Sequence, residues 1–427
     1  MQAEILFFAV VIIWGIAFRN KSETISYFGD PVYAAWFLLS ISIFGYTPSV
    51  LQYAIRLAAI CFGLLAVFTD GTITFCVPKR TPIVTLFIIY LVYGGVSVAW
   101  SVDALQTAVK VVELFVDVLV ISKAVEIDGI DIAAKKLTKI VLAGCVLVEF
   151  YALAGFVVMN GTFFSASSGI LGRHLTGVIV SADSLCGIMT LVICYYLNFR
   201  KGFWDNVILA LAFVVLFLGQ ARTSLISVLI MLMIYFFRTN KKFFYVGLLG
   251  VLGVVAFYNW DTIYAYFVRG STDENLRNMS GRTVMWGWAR ELIAERPLFG
   301  YGFGSGGEMV STRIGMSSLH SGVYETLMGV GYVGFIQLII IYVLTIIELV
   351  RNILVYGISK NVFEIMLLID LTIRTYVSGG IGGWQSQQMM IFLIIIFGYS
   401  HFGNLGTLAS RCEAKYEEEF PNGESEH

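Results

Sequence analysis

Charge is what this sequence has least of. Asp, Glu, Lys and Arg together make up 13% of its 427 residues, about half the share in an ordinary soluble domain. A chain so poor in charge cannot cover its surface in water, so a water-soluble globular protein is excluded. The net charge of −1 removes any bulk attraction to nucleic acid. Cysteine is scattered: of Cys61, Cys76, Cys145, Cys186, Cys194 and Cys412, all but one lie in or beside apolar runs. That pattern offers neither a disulfide framework nor metal-ligand spacing. Paired carboxylates with metal-site character are missing too, since Asp273 and Glu274 are adjacent and Asp103 stands alone. No internal repeat and no nucleotide-binding motif is found. The first apolar stretch carries only Glu4 and no basic n-region, so a cleaved signal peptide is not expected.

What is present is apolar surface in membrane-sized pieces. Hydrophobic residues reach 58%, with a mean hydropathy of +0.81, and aromatics reach 15%, as suits rings collected at two lipid interfaces. Apolar runs begin near Ala3, Val32, Val50, Ile83, Thr107, Lys139, Gly177, Asn206, Leu225, Phe243, Ser321, Val362 and Gln387. They predict an all-α polytopic bundle of about 12 or 13 spans. Lys and Arg set its orientation. Arg19/Lys21, Lys79/Arg80, Lys123/Lys135/Lys136, Arg200/Lys201, Arg238/Lys241/Lys242, Arg351/Lys360 and Arg411/Lys415 fall on alternate connections, which are therefore cytoplasmic. The intervening turns are nearly free of both residues. This places the N-terminus outside if Ala3 to Phe18 spans.

One outer connection, 259–319, is about sixty residues long, far beyond an ordinary loop. Met285, Trp288 and Leu292 stand at helical spacing, Ser280 is a plausible N-cap and Pro297 a stop, so an amphipathic helix is predicted over 283–295. All six basic residues of the loop are arginine (Arg269, Arg277, Arg282, Arg290, Arg296, Arg313), whereas every lysine except Lys110 is cytoplasmic. Arginine's rigid fork of donors suits phosphate and carboxylate oxygens. The chain thus divides into N-terminal transmembrane helices (1–258), the long loop (259–319), C-terminal transmembrane helices (320–402) and an acidic cytoplasmic tail (403–427).

Several constellations are candidates for chemistry. The run Gly300-Tyr301-Gly302-Phe303-Gly304-Ser305-Gly306-Gly307 follows a helix and has no βαβ context, which excludes a Rossmann fingerprint. A phosphate-binding nest, a hinge and a tight membrane-surface turn all fit it. His320 opens the next span, where it could take a proton from a hydroxyl, or simply be a histidine satisfied by interface hydrogen bonds. Glu325 lies a turn further in. Arg173 with His174, and Arg222, are the strongly basic residues of the other short outer loops. With Arg282 and His320 they would suit an anionic, phosphate-bearing substrate, although a single arginine such as Arg222 also serves as an interfacial anchor. Within spans, Lys110, Glu113 and Asp117 share a face and Asp370 and Arg374 lie four apart, as expected of internal ion pairs.

The stretch Ser280-Gly281-Arg282-Thr283-Val284-Met285-Trp286, followed by Arg296-Pro297-Leu298-Phe299-Gly300-Tyr301-Gly302-Phe303-Gly304, resembles the O-antigen ligase/polymerase superfamily (Wzy/WaaL-like). It is most similar there to the bacterial exopolysaccharide polymerases. Ala99-Trp100-Ser101-Val102-Asp103, Ala221-Arg222-Thr223-Ser224, and His320 through Gly331-Tyr332-Val333-Gly334 agree with it, so the resemblance runs from about Ile83 to Phe402. Two positions depart from the family's habit. Ser321 stands where an asparagine often follows the motif histidine, and Gly379 to Gln388 hold none of the glutamate frequent there.

The resemblance implies a GT-C-type glycosyltransferase in the bacterial inner membrane, with its site facing the periplasm. Its implied donor is an oligosaccharide on undecaprenyl diphosphate, used with a glycan acceptor and without metal or cofactor. A chain-length-regulating membrane protein is a further candidate partner. Arg222 and Arg282 would bind the diphosphate and His320 would act on the acceptor hydroxyl. Arg173, Arg290, Glu325 and Trp286 are candidates for substrate binding. The resulting expectation is polymerisation of repeat units. The alternatives are a ligase moving finished glycan to lipid A core or protein and, from another class, a lipid-linked glycan transporter or flippase. Transport fits less well, because the basic residues gather at one face.

Overall fold

A computed structural model describes residues 27–43, 49–69, 82–158, 164–166, 173–175, 181–238, 282–307, 309, 319–379, 381–382 and 386–401. The predicted spans near Ala3 and Phe243, the Ser280 cap, Arg269, Arg277, Arg313 and the acidic tail lie outside them. The described chain is helical. Its helices are α1 (Pro31–Ser42), α2 (Ser49–Phe68), α3 (Ile83–Val96), α4 (Ala104–Val158), α5 (Ala182–Phe199), α6 (Phe203–Gly219), α7 (Arg222–Arg238), α8 (Arg282–Glu295), α9 (Gly322–Tyr356), α10 (Val362–Val377) and α11 (Gln387–His401). Between α4 and α5 stands a short antiparallel hairpin, β1 (Phe164–Ala166) with β2 (Arg173–Leu175), in which Phe164 faces Leu175.

Among the described residues, four helical segments are long and apolar enough to cross a membrane: Ile83–Trp100, Ala104–Val158, Ala182–Phe199 and Gly322–Tyr356. The expected dozen is therefore not met by length alone, because α1, α6 and α11 fall short of the ~20 residues a full crossing takes. α4 makes up part of the difference. Its 55 residues would stretch about 80 Å as one rod, but Gly129 adopts φ 75° and splits it into two apolar runs. The split falls in the predicted cytoplasmic turn between Lys123 and Lys135. Gly331, at φ 62°, breaks α9 in the same way.

The helices pair as the alternation of basic turns requires. α5 and α7 start side by side, where Thr223 Oγ1 donates to Asp183 at 3.3 Å. They also end side by side, where Arg238 donates to Asn198 at 3.1 Å. α6 must then run back between them, and α10 arrives from the opposite direction, with Ser378 donating to Asp183. The basic-poor turns thus gather at one end of this group and Arg200, Lys201 and Arg238 at the other.

Of the charges expected to pair inside the bundle, Asp370 and Arg374 do so, whereas Lys110 donates to the Gly304 carbonyl and to Gln106 at 3.2 Å. Arg374 and Asp370 are both fully buried and lie 3.1 Å apart, and Arg374 also donates to Thr190 at 3.3 Å and Ser224 at 2.7 Å. Gly187 lets this happen: a Cβ there would stand 2.6 Å from the guanidinium. Glu113 pairs with Arg56 of α2 at 3.7 Å.

Candidate functional site

Four helix starts carry the candidate residues. Arg222 is the first residue of α7 and Arg282 the first of α8, Asp183 lies in the first turn of α5, and His320 sits just before α9. A helix N-terminus presents unpaired N–H groups and the positive end of the helix dipole, which favours anions. An arginine placed there adds to a field that already repels it. Such a pair of arginines makes electrostatic sense where a negative group is to be held.

Hydrogen bonds and charges tie these starts together. Arg282 donates to the carbonyl of Val377 at the end of α10. The next residue, Ser378, donates to Asp183, and Thr223, beside Arg222, does the same. His320 is half-buried and within electrostatic reach of both Arg282 and Asp183. Burial, chiefly, and then the Arg282 charge push the imidazole below its ordinary value, while Asp183 pulls the other way. His320 therefore stands largely neutral near pH 7, the state in which it can accept a proton.

The backbone of His320 is held from beneath. Leu319 is gripped at both polar ends: its carbonyl accepts from Trp286 Nε1 at 3.1 Å, and its amide donates to Glu325 Oε1 at 3.2 Å. Trp286 stacks on Tyr324 with ring centres 5.4 Å apart and meets Tyr376 edge-on at 5.8 Å. Trp286 and Glu325, both named as substrate-binding candidates, are buried, and their contacts support the turn carrying His320. His320 itself adopts φ 49°. Only Gln220, at φ 53° and immediately before Ala221-Arg222, shares a positive φ among the described non-glycine residues. Both left-handed residues thus stand in turns that deliver site residues, where backbone strain tends to collect.

The other candidates are not joined to this cluster by any described contact. Arg290 is exposed and donates to the carbonyl of Trp286 at 3.2 Å. Arg173 lies on β2, beside the end of α6; its side chain is outside the described residues. Trp288, expected on the buried stripe of α8, is 46% exposed. The stripe consists of Met285, Trp286, Ala289, Leu292 and Ile293, and at 100° per residue Trp288 lies about 100° from its middle. An apolar surface cleft of Trp100, Arg296, Pro297, Leu298, Phe299 and Gly300 lies beyond the far end of α8 and contains none of the site residues.

The glycine run is not a phosphate nest. Tyr301 N–H donates to Met328 O at 2.8 Å, Gly302 N–H to Gly329 O at 2.8 Å, Phe303 N–H to Ser97 Oγ at 2.9 Å and Ser305 N–H to Gly302 O at 3.1 Å. Gly302, at φ 112°, packs so closely on Ser101 that a Cβ would lie 2.2 Å from its hydroxyl. The run is a tight turn locking α8 against α9 and the α3–α4 connection.

Asp183 is the member that sequence reasoning missed. It was absorbed into the apolar run beginning near Gly177. The signal available was Ser181, whose side chain caps α5 by accepting from Ser184 N–H at 3.2 Å, with an acidic residue in the first turn behind it.

Fold and composition together define a polytopic helical membrane protein. Residues 207–339 match the O-antigen ligase family model (Wzy_C), which supports the resemblance to the O-antigen ligase/polymerase superfamily and a ligase/polymerase-type function in general. The matched segment includes Arg222, Arg282, Trp286, Arg290, His320 and Glu325, whereas Arg173 and Asp183 precede it. No curated protein matches the chain.

Proposed function

We propose that this protein is a glycosyltransferase of the bacterial inner membrane. In this reading it joins undecaprenyl-diphosphate-linked oligosaccharide repeat units into an exopolysaccharide or O-antigen-type polymer at the periplasmic face. The observation that carries the reading is the gathering of Arg282, His320 and the Arg222 turn at adjoining helix N-termini, within the segment that matches the O-antigen ligase family. Arg222 and Arg282, aided by the helix dipoles, hold the diphosphate of the donor. His320, kept neutral by burial and by Arg282, takes the proton from the acceptor hydroxyl. The acceptor oxygen bonds to the anomeric carbon as the bond from that carbon to the diphosphate breaks. The charge growing on the departing diphosphate is met by the two arginines. On this account the arginines do the work a divalent cation does elsewhere, so the reaction proceeds in EDTA. In this reading Arg173 and Arg290 contact the glycan, and the 259–319 segment supplies Arg282.

A deletion strain tests the choice between polymerase and ligase. Loss of polymer with single lipid-linked repeats remaining is the polymerase result. Full-length lipid-linked chains that are never transferred would instead mean a ligase.

A further inference from the structure

Asp183 bonds to residues adjoining two parts of the site and lies within electrostatic reach of His320, without belonging to the arginine–histidine set. One carboxylate oxygen accepts from Thr223, the neighbour of Arg222. The other accepts from Ser378, the neighbour of the carbonyl that Arg282 grips. Hydrogen bonds to an ionised carboxylate are the strong ones, and the first turn of α5 favours the negative charge. α5, α7 and α10 are thereby pinned to one another at the level of the Arg222 turn and of the Val377 carbonyl that Arg282 grips. Resting on the function proposed above, we infer that Asp183 is a positioning residue: it fixes the spacing of the two arginine-bearing turns and supplies the counter-charge for the imidazolium that His320 becomes.

The charge balance follows the logic of carboxylate–histidine pairs in acyl transfer. Once His320 takes a proton, it is a cation beside the Arg282 guanidinium. Burial and Arg282 oppose that state, and Asp183 is the group that favours it. Replacing Asp183 by asparagine keeps the shape of the side chain and removes the charge.

The test follows His320 directly. Diethyl pyrocarbonate acylates neutral imidazole, and peptide mass spectrometry locates the adduct at His320 among the four histidines. The extent of modification of the purified full-length protein is measured between about pH 5 and pH 8. Asp183→Asn is expected to lower the midpoint by about half a unit to one unit, with Asp183→Glu returning it toward the wild-type value. It is also expected to cut polymer synthesis about 10- to 100-fold. An Asp183→Asn midpoint equal to wild type would overturn the inference. Should that variant not accumulate, Thr223→Val with Ser378→Ala releases the carboxylate while keeping its charge. The midpoint must then move, and an unmoved one likewise overturns the inference. The readout needs no glycan donor: an unmoved midpoint counts against Asp183 alone, and a wild-type protein that makes no polymer counts against the proposed function alone.

Discussion

Burial, chiefly, and then the neighbouring Arg282 charge set the pH behaviour of His320. The His320 imidazole is held below its ordinary value, so its neutral form is lost only as pH falls through a point under the usual ~6.5. Polymer synthesis at subsaturating donor is predicted to be flat above neutrality and to fall on the acid side. Arg282→Gln removes the repelling charge, so its residual activity should show that fall at higher pH. A pH–rate profile of the two proteins checks the direction. Arg282→Lys keeps a positive charge but loses the planar fork, and is expected to cost about 10- to 100-fold in rate; equal rates would mean that charge alone is read. Arg282 and His320 were legible in sequence because a motif contained them. The tasks of Trp286 and Glu325 were not, because their partner is the backbone of Leu319, and backbone partners leave no trace in spacing.

Helices were the most legible elements. The amphipathic helix expected over 283–295 is found at Arg282–Glu295, since Met285, Leu292 and Pro297 mark its buried side and its end. The glycine run was ambiguous because the destinations of its N–H groups depend on α9, which is remote in sequence. That packing yields a stability prediction. Gly302→Ala must force a Cβ to 2.2 Å from the Ser101 hydroxyl at φ 112°, and is expected to destabilise the protein by about 2–4 kcal/mol, seen as a lower melting temperature in detergent. Asp370→Ala should be comparably severe, about 3–5 kcal/mol, because it strands the buried Arg374 guanidinium without its counter-charge. Arg374 and Asp370 replaced together by Met and Leu should recover much of that loss in the same melting experiment.

Among the described residues, Arg222, Arg282 and His320 stand at the end of the bundle whose turns are otherwise poor in lysine and arginine, and the buried Arg374 is neutralised by Asp370. Composition revealed the membrane class, and the alternation of basic turns matches the way α5, α6, α7 and α10 run. The exact set of crossings stayed hidden, because helices as short as α1 and α11 are covered largely by their neighbours and so escape the length rule. The central claim is that Arg222, Arg282 and His320 at this end transfer a glycan from a lipid diphosphate without a metal ion. It is tested most directly by incubating the purified protein with undecaprenyl-diphosphate oligosaccharide in EDTA and resolving glycan length on a gel. A ladder of polymer that disappears with Arg282→Ala is the result predicted here. No ladder from wild-type protein with its cognate donor, or an undiminished one from Arg282→Ala, would contradict the account.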